Sequence, residues 1–421
     1  MSHATLMSEV EDWLIAEALH DPDIVELFGT LCTRLHAAGL PLERAALSWP
    51  TLHPLFQSEQ IYWRLGGGAE LFQYRHDAVS TGAFEKSPFY YVLINDLTRF
   101  RRRLEGPDKV IDFPVLEELA EAGFTDYLMT ASGFRIADVK SYRGGGAGML
   151  ASWSTRREGG FSQRDLEALS RIQRFFAVAC HASIQKRVMV NLANAYLGET
   201  AAARVLGGEV RRGDGERIRA VVWFADLRGS TRLSNGMAAE DYLALLRGYY
   251  DCTAQSVIDE GGEILDFIGD GVLAIFPIRG DTGGPEAVRA ATRAAEAALR
   301  RRRDWLEETE LMPGEAEASP PQGRLAFSIS MTLGEVMFGN IGVPGRLTFS
   351  VIGQAVNKVS RLDDLSKRIG RSVLATKAVA DVDPQRWRSA GSWKLLDYET
   401  PVELFVQADD RDAFLTVAEA S

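Results

Sequence analysis

Val221-Val222-Trp223-Phe224-Ala225-Asp226-Leu227-Arg228-Gly229-Ser230-Thr231 is a run of β-forming residues that reaches a carboxylate and then falls into a small polar turn. Such a run reads as a buried strand delivering Asp226 to the edge of a site. A second stretch, Glu263 to Phe276, has two β-type runs flanking Gly269-Asp270. That dipeptide reads as a two-residue hairpin turn with glycine first, which puts Asp270 at its tip. Two carboxylates at the ends of neighbouring strands, one beside a turn with free N–H groups, suit a divalent metal and a polyphosphate. The alternative for each aspartate is a plain turn or cap residue.

Outward from these strands, Glu240 to Ile258 has helical spacing, with Leu243, Leu246, Tyr250, Ala254 and Val257 as its apolar stripe. Glu286 to about Glu310 is a second helix, and Met312 to Gly323 a proline-containing loop. Strands are expected at 324–332, 335–338 and 347–352, a helix from Asn357 to Ile369, and closing strands at Val373–Thr376 and Val402–Gln407. The order predicts an α/β (α+β) sandwich on a mainly antiparallel sheet. Asn357 and Arg361 lie four apart on one helix face. The alternative is an N-cap and a surface cation, and their placement after Val351-Ile352-Gly353 argues against it.

Three ordered motifs carry a resemblance. They are Phe224-x-Asp226-Leu227-x-Gly229-x-Thr231, then Gly269-Asp270, then Val351-Ile352-Gly353 followed by Val356-Asn357 and Arg361. Together, over roughly residues 216 to 406, they resemble the class III nucleotidyl cyclase catalytic domain. The resemblance implies conversion of ATP or GTP to the 3′,5′-cyclic nucleotide and pyrophosphate with two divalent ions, Mg2+ or Mn2+. Asp226, Asp270 and the Leu227 carbonyl would hold the metal. The Gly229-Ser230-Thr231 turn would bind phosphates, although relatives commonly carry Phe where Ser230 stands. Asn357 would orient the ribose, and Arg361 would stabilise charge at the α-phosphate. In the family the aspartates of one subunit face the Asn and Arg of another, which implies a head-to-tail homodimer with composite sites.

The base-reading positions depart from the commonest pattern. Asp266 stands where adenylate cyclases usually have Lys and guanylate cyclases Glu, and its partner position is Thr348. An ionised Asp accepts from guanine but cannot donate to adenine, and the Thr hydroxyl can do either. ATP and GTP both stay open. Near Asp397-Tyr398, relatives often place Gly and sometimes a phosphate-binding Lys, which Tyr398 cannot replace. Lys394 and Lys358 are the candidates to supply that charge. Two other readings remain: a degenerate cyclase domain that binds nucleotide or a partner without turnover, and a hydrolase or polymerase using the same two aspartates.

The first 161 residues are expected to form a small α+β sensory domain. Helical spacing over residues 8–38, interrupted at Asp21-Pro22, precedes strand-like runs around 45–49, 60–65 and 71–74. Arg101-Arg102-Arg103 reads as a solvated face, Asp112 to Ala122 as a helix, and Asp126–Ala131 and Gly148–Ser154 as strands around a Gly144-Gly145-Gly146 turn. The segment from Gly148 into the next helix is similar to the end of a GAF domain, with a PAS-like fold as alternative. It implies an unnamed small-molecule or protein signal. Ser162 with Asp165 forms a capping box that opens a long helix. Residues 162–215 are read as a signalling helix and linker, and 216–421 as the catalytic domain. Leu166, Leu169, Phe176, Cys180, Ile184, Val188, Leu192 and Tyr196 could line a parallel coiled coil, or could fold back on their own domain.

Of the 421 residues, 46% are apolar and 25% charged, with a net charge of −11. That field argues against nucleic acid or an anionic membrane as the main partner. Cys32, Cys180 and Cys252 are too scattered for a disulfide framework or a zinc site. No apolar run approaches a membrane span and no signal peptide opens the chain, so a cytoplasmic location is expected.

Overall fold

The structure is a computed structural model and describes residues 3–20, 22–76, 84–133, 148–280, 282–310 and 325–408. The glycine turn expected at 144–146 and the loop expected at 312–323 lie outside the described residues. Two compact units divide between Tyr196 and Leu197.

In the first unit the elements are α1 (His3–Ala18), α2 (Ile24–Ala37), β1 (Arg44–Pro50), β2 (Phe56–Arg64), β3 (Gly68–Arg75), α3 (Pro88–Ile94), β4 (Arg99–Arg103), α4 (Pro114–Glu121), β5 (Asp126–Gly133), β6 (Gly148–Thr155) and α5 (Gln163–Leu197). The expected break near Pro22 separates the first two helices. Asp23 starts α2 by accepting from the Val25 and Glu26 N–H groups at 2.8 and 3.2 Å. The strands form one antiparallel sheet in the order β3-β2-β1-β6-β5-β4. Successive residues of β5 serve opposite faces, as the pleat requires. Leu128 joins Phe28, Trp153 and Phe176 in one core. Tyr127 and Met129 join Phe100 and Leu116 in another.

The capping box forms: the Ser162 N–H donates to Asp165 Oδ2 at 2.7 Å, and the Asp165 N–H to Ser162 Oγ at 3.3 Å. In α5 the stripe from Leu166 to Val188 is buried in the core of its own unit. Only Leu192 and Tyr196, 40% and 79% exposed, lie outside it. The stripe is therefore not free for a partner helix between Leu166 and Val188. Its spacing drifts because it covers a sheet rather than a single parallel helix.

Arg101–Arg103 correct a second expectation, for they belong to β4 rather than to a solvated face. Arg101 Nη2 donates to Asp126 Oδ2 at 2.6 Å and to the Phe161 carbonyl at 2.8 Å. Asp126 is fully buried and also accepts from the Phe161 N–H at 2.8 Å. Arg102 Nη2 meets Asp112 at 2.7 Å. Asp126→Ala would leave a buried N–H and a guanidinium unpaired. It should destabilise this unit by about 3–5 kcal/mol, read as a lower urea midpoint in a fluorescence-monitored melt.

The second unit contains α6 (Glu199–Leu206), β7 (Gly215–Leu227), α7 (Ser230–Gly236), α8 (Ala239–Cys252), α9 (Ala254–Asp259), β8 (Glu263–Ile268), β9 (Gly271–Pro277), α10 (Gly284–Glu310), β10 (Phe327–Val343), β11 (Arg346–Ile352), α11 (Gln354–Ile369), β12 (Val373–Thr376), α12 (Lys377–Ala380), β13 (Trp387–Trp393) and β14 (Val402–Gln407). The sheet runs β13-β14-β12-β10-β7-β9-β8, with β11 on the far half of β10. Only the β10–β12 pairing is parallel, so the sheet is mainly antiparallel, as expected.

Several local expectations change here. Part of the stretch read as a linker is helix α6, with Ala201 and Ala202 buried. The helix expected at 240–258 breaks at Thr253, whose hydroxyl bonds back to the Tyr249 carbonyl at 2.7 Å. Of the expected stripe, Ala254 and Val257 are buried and Leu246 and Tyr250 pack against the same core, beside buried Leu245, Tyr249 and Cys252, whereas Leu243 is 51% exposed. At the start of the helix the core takes Leu245 in place of Leu243. The strands expected at 324–332 and 335–338 are one strand, β10. Gly334 is not a break: a Cβ there would lie 2.8 Å from the Ala355 Cβ, so the glycine lets α11 sit close on the sheet.

Candidate functional site

Asp226 ends the central strand β7, paired to Ser328 on β10, with Ala225 paired to Val272 on β9. Its side chain is only 16% exposed. Asp270 follows Gly269 in the two-residue turn between β8 and β9, where Ile268 pairs with Gly271. Gly269 has φ +64°, the left-handed conformation that the hairpin expectation required. Tyr250 on α8 fixes this tip by donating from its hydroxyl to the Gly269 carbonyl at 3.0 Å. Its ring also meets Phe267 edge-on, with centroids 4.8 Å apart. Sequence reading had placed Tyr250 only as a core residue.

Two further residues of α11 complete the acidic site, and sequence reading missed both. Lys367 forms ion pairs with Asp226 and, at 2.8 Å, with Asp363. Asp363 is buried and accepts from Ser328 Oγ at 2.5 Å. Their i, i+4 spacing was the one signal available. Burial raises the Asp226 carboxyl to about 6, against the pull of Lys367 and with help from Asp363 and Asp270. Burial also pulls Lys367 down, but its hydrogen bonds to Asp226 and Asp363 outweigh that and leave it above the usual lysine range. Asp270 Oδ2 and the Tyr249 hydroxyl are buried without a hydrogen-bond partner.

The other predicted residues lie apart from this cluster. Asn357 is exposed near the start of α11. Arg361 donates to Asp397 Oδ2 at 2.8 Å and approaches Asp364 at 3.8 Å. Around the helix axis Arg361 and Asp363 are about 200° apart, so α11 carries two polar faces. Among the described residues no hydrogen bond or ion pair joins Asn357 or Arg361 to Asp226 or Asp270. Gly229 is left-handed (φ +68°) at the start of α7, with Ser230 half-buried and Thr231 exposed. Leu227 is buried. Asp266 and Thr348 are both exposed, on β8 and β11, two strands that approach each other. A bulge between Ile264 and Asp266 shifts the phase of β8 just before the aspartate. Lys358 places its ammonium 5.5 Å from the Tyr398 ring centroid.

Among the described residues no three His, Cys, Asp or Glu side chains converge on a metal site. The donor set of Asp226, Asp270 and a main-chain carbonyl nevertheless fits a hard divalent ion that completes its shell with water and substrate oxygens. The unpartnered Asp270 Oδ2 is the structural sign of that fit.

No family model matches the chain. An adenylate cyclase of Anabaena cylindrica is 30% identical over 161 residues, 38% of this chain and 30% of that protein. Adenylate cyclase 1 of Rhizobium meliloti (strain 1021) is 31% identical over 192 residues, 45% of this chain and 27% of that protein. Nearly half of this chain is homologous to adenylate cyclases. The chain spans less than a third of the length of these curated cyclases. Among solved structures, the adenylyl cyclase CyaB from P. aeruginosa aligns with 48% of this chain and 99% of its own, at 23% identity and a TM-score of 0.39. That degree of overlap adds nothing to the sequence relationship. No helix among the described residues of this cyclase homologue is long and apolar enough to cross a membrane.

The raised Asp226 value has a sign that melts can read. An unfolded aspartate titrates near 4 and the folded one near 6, so the folded state binds the proton more tightly. Stability from this proton is fully present below about pH 4 and is lost as pH rises through about 6. The Tm difference between Asp226→Asn and wild type, without metal, should move in the variant's favour between those limits and level off above them. A difference independent of pH would contradict this.

Proposed function

We propose that residues 216–421 form a class III nucleotidyl cyclase domain that converts a purine nucleoside triphosphate to its 3′,5′-cyclic nucleotide and pyrophosphate. The observation that carries this reading is the Asp226–Asp270 pair, with an unpartnered carboxylate oxygen, in a chain homologous to adenylate cyclases. The ribose 3′-oxygen loses its proton and bonds to the α-phosphorus, while the bond to the β-phosphate oxygen breaks. Asp226, Asp270 and the Leu227 carbonyl would hold divalent metal, Mg2+ or Mn2+, which when bound supplies charge neutralisation and a more acidic 3′-hydroxyl. Arg361 neutralises charge growing at the α-phosphate, and Asn357 fixes the ribose in line. The Gly229–Thr231 turn offers N–H groups to the outer phosphates.

The two faces of α11 favour a shared site. Arg361 is engaged by Asp397 rather than by the aspartates of its own site, which suits a second copy supplying Arg361 and Asn357. Cross-strand partners Met337 and Ile352 are 41% and 53% exposed, and Phe267 and Ile268 beside Asp270 are 51% and 56% exposed. These apolar side chains suit a homodimer contact. The first unit, with its own cores and with α5 leading into the catalytic unit, is read as a GAF-like sensor of an unidentified signal.

ATP is the substrate that the named relatives suggest. GTP is the second reading, favoured by the exposed Asp266 carboxylate, which can accept from guanine but cannot donate to adenine. Parallel turnover of both nucleotides with Mg2+ and Mn2+, with cyclic products resolved chromatographically, decides between them. The absence of any cyclic product would favour a nucleotide-binding domain without turnover.

Asp226→Ala should abolish the product, and Arg361→Ala should lower kcat by about 10²–10³-fold. Mixing the two inactive proteins in equal amounts should restore about a quarter of wild-type activity, since half the dimers then hold one intact site. No recovery on mixing, with dimers present by ultracentrifugation, would rule out composite sites.

A further inference from the structure

The cation lying on Asp226 is the feature that the proposed chemistry does not use. The Lys367 ammonium bridges Asp226 and Asp363, the first 16% exposed and the second 3%. Asp363 is itself anchored by Ser328, the cross-strand partner of Asp226. The nearby Arg228 directs its guanidinium to Ser366 Oγ at 2.7 Å and to the Arg371 carbonyl at 3.3 Å. Lys367 therefore has two acceptors on a short path, one of them a proposed metal ligand and the other buried and fixed.

We propose that Lys367 is a built-in competitor for the metal site, holding Asp226 in the metal-free chain and retreating to Asp363 when a divalent ion takes Asp226. This rests on the metal reading above. The ammonium keeps its proton throughout, and one cation replaces another at a single carboxylate. Asp363 makes the exchange feasible, because the displaced ammonium keeps a carboxylate partner and the buried Asp363 keeps its counter-charge. Lys367 is thus a positioning residue that sets how much metal the site needs, and it keeps the acidic cluster compensated when metal is scarce. Its side chain is 43% exposed, which leaves it room to swing between the two carboxylates.

The test is Mn2+ binding by the full-length protein, followed by electron paramagnetic resonance, with thermal melts in parallel. Lys367→Met should bind Mn2+ about tenfold more tightly than wild type. Its Tm should be lower than wild type without metal and should rise more on adding Mn2+. Arg368→Met removes the same charge one residue on and should bind within about twofold of wild type. If Lys367→Met does not fold, Lys367→Gln carries the same expectation. Equal Mn2+ affinity in wild type and the Lys367 variants would overturn the competitor role while leaving the metal site standing. An equal gain in Arg368→Met would overturn it too, by showing a general charge effect. Absence of Mn2+ binding in every protein would overturn the metal reading and this inference with it.

Discussion

Burying negative charge at the end of a central strand is the constraint on which the second unit depends. Asp226 lies between strands on both sides, and Asp270 and Asp363 add to its field. Like charges that interact with a buried carboxylate raise the need for positive charge close by. In the structure Lys367 supplies that charge, and its own environment responds by holding it more firmly protonated. Burial is the largest cause of the raised Asp226 value, with Asp363 and Asp270 adding to it against the pull of Lys367. An acidic site left short of positive charge is one that attracts a divalent ion.

The same constraint explains where α11 sits. Its Asp363–Lys367 face reaches the end of β7, while at the other end of the helix Gly334 lets Ala355 of the first turn sit close on the sheet. Seating that face turns Asn357 and Arg361 outward. Arg361 is then held by Asp397, a non-glycine residue at φ +67°. Asp is one of the few side chains that adopt this left-handed conformation as a single residue, so the turn can present its carboxylate to Arg361.

What could be read from sequence divides along the range of the interactions. Strand ends, the hairpin turn and the capping box at Ser162 rest on neighbours within a few positions, and the structure has each of them. The closing strands Val373–Thr376 and Val402–Gln407 were equally legible, because short apolar runs bounded by turns leave few alternatives. The failures involve distant partners. Nothing near Arg101 tells of Asp126, and nothing near Lys367 tells of Asp226. Leu243 alone of its stripe turned outward, because Leu245 two residues on takes the core position. The α5 stripe is apolar whether it meets a partner helix or its own sheet. For the candidate site, the placement of Asp226 at a strand end and of Asp270 in a hairpin turn was legible, whereas the charged partners Lys367 and Asp397 were not.

Those counter-charges change how the proposed site must be understood. Within one chain, Asp226 is covered by Lys367 and Arg361 by Asp397. On the proposed reading, each half of the composite site is closed by an internal ion pair before the halves meet. The Arg361–Asp397 pair is exposed and such a pair contributes little, about 0–1 kcal/mol, and Lys367 has Asp363 as a second carboxylate when it leaves Asp226. Both pairs can therefore yield to a divalent ion and a triphosphate, yet they spare the resting chain a bare acidic cluster and a bare guanidinium. Substrate and metal together supply the opposite charges that both halves lack. Opening the pairs and binding the nucleotide would then be a single exchange of partners, in which neither charge has to stand uncompensated.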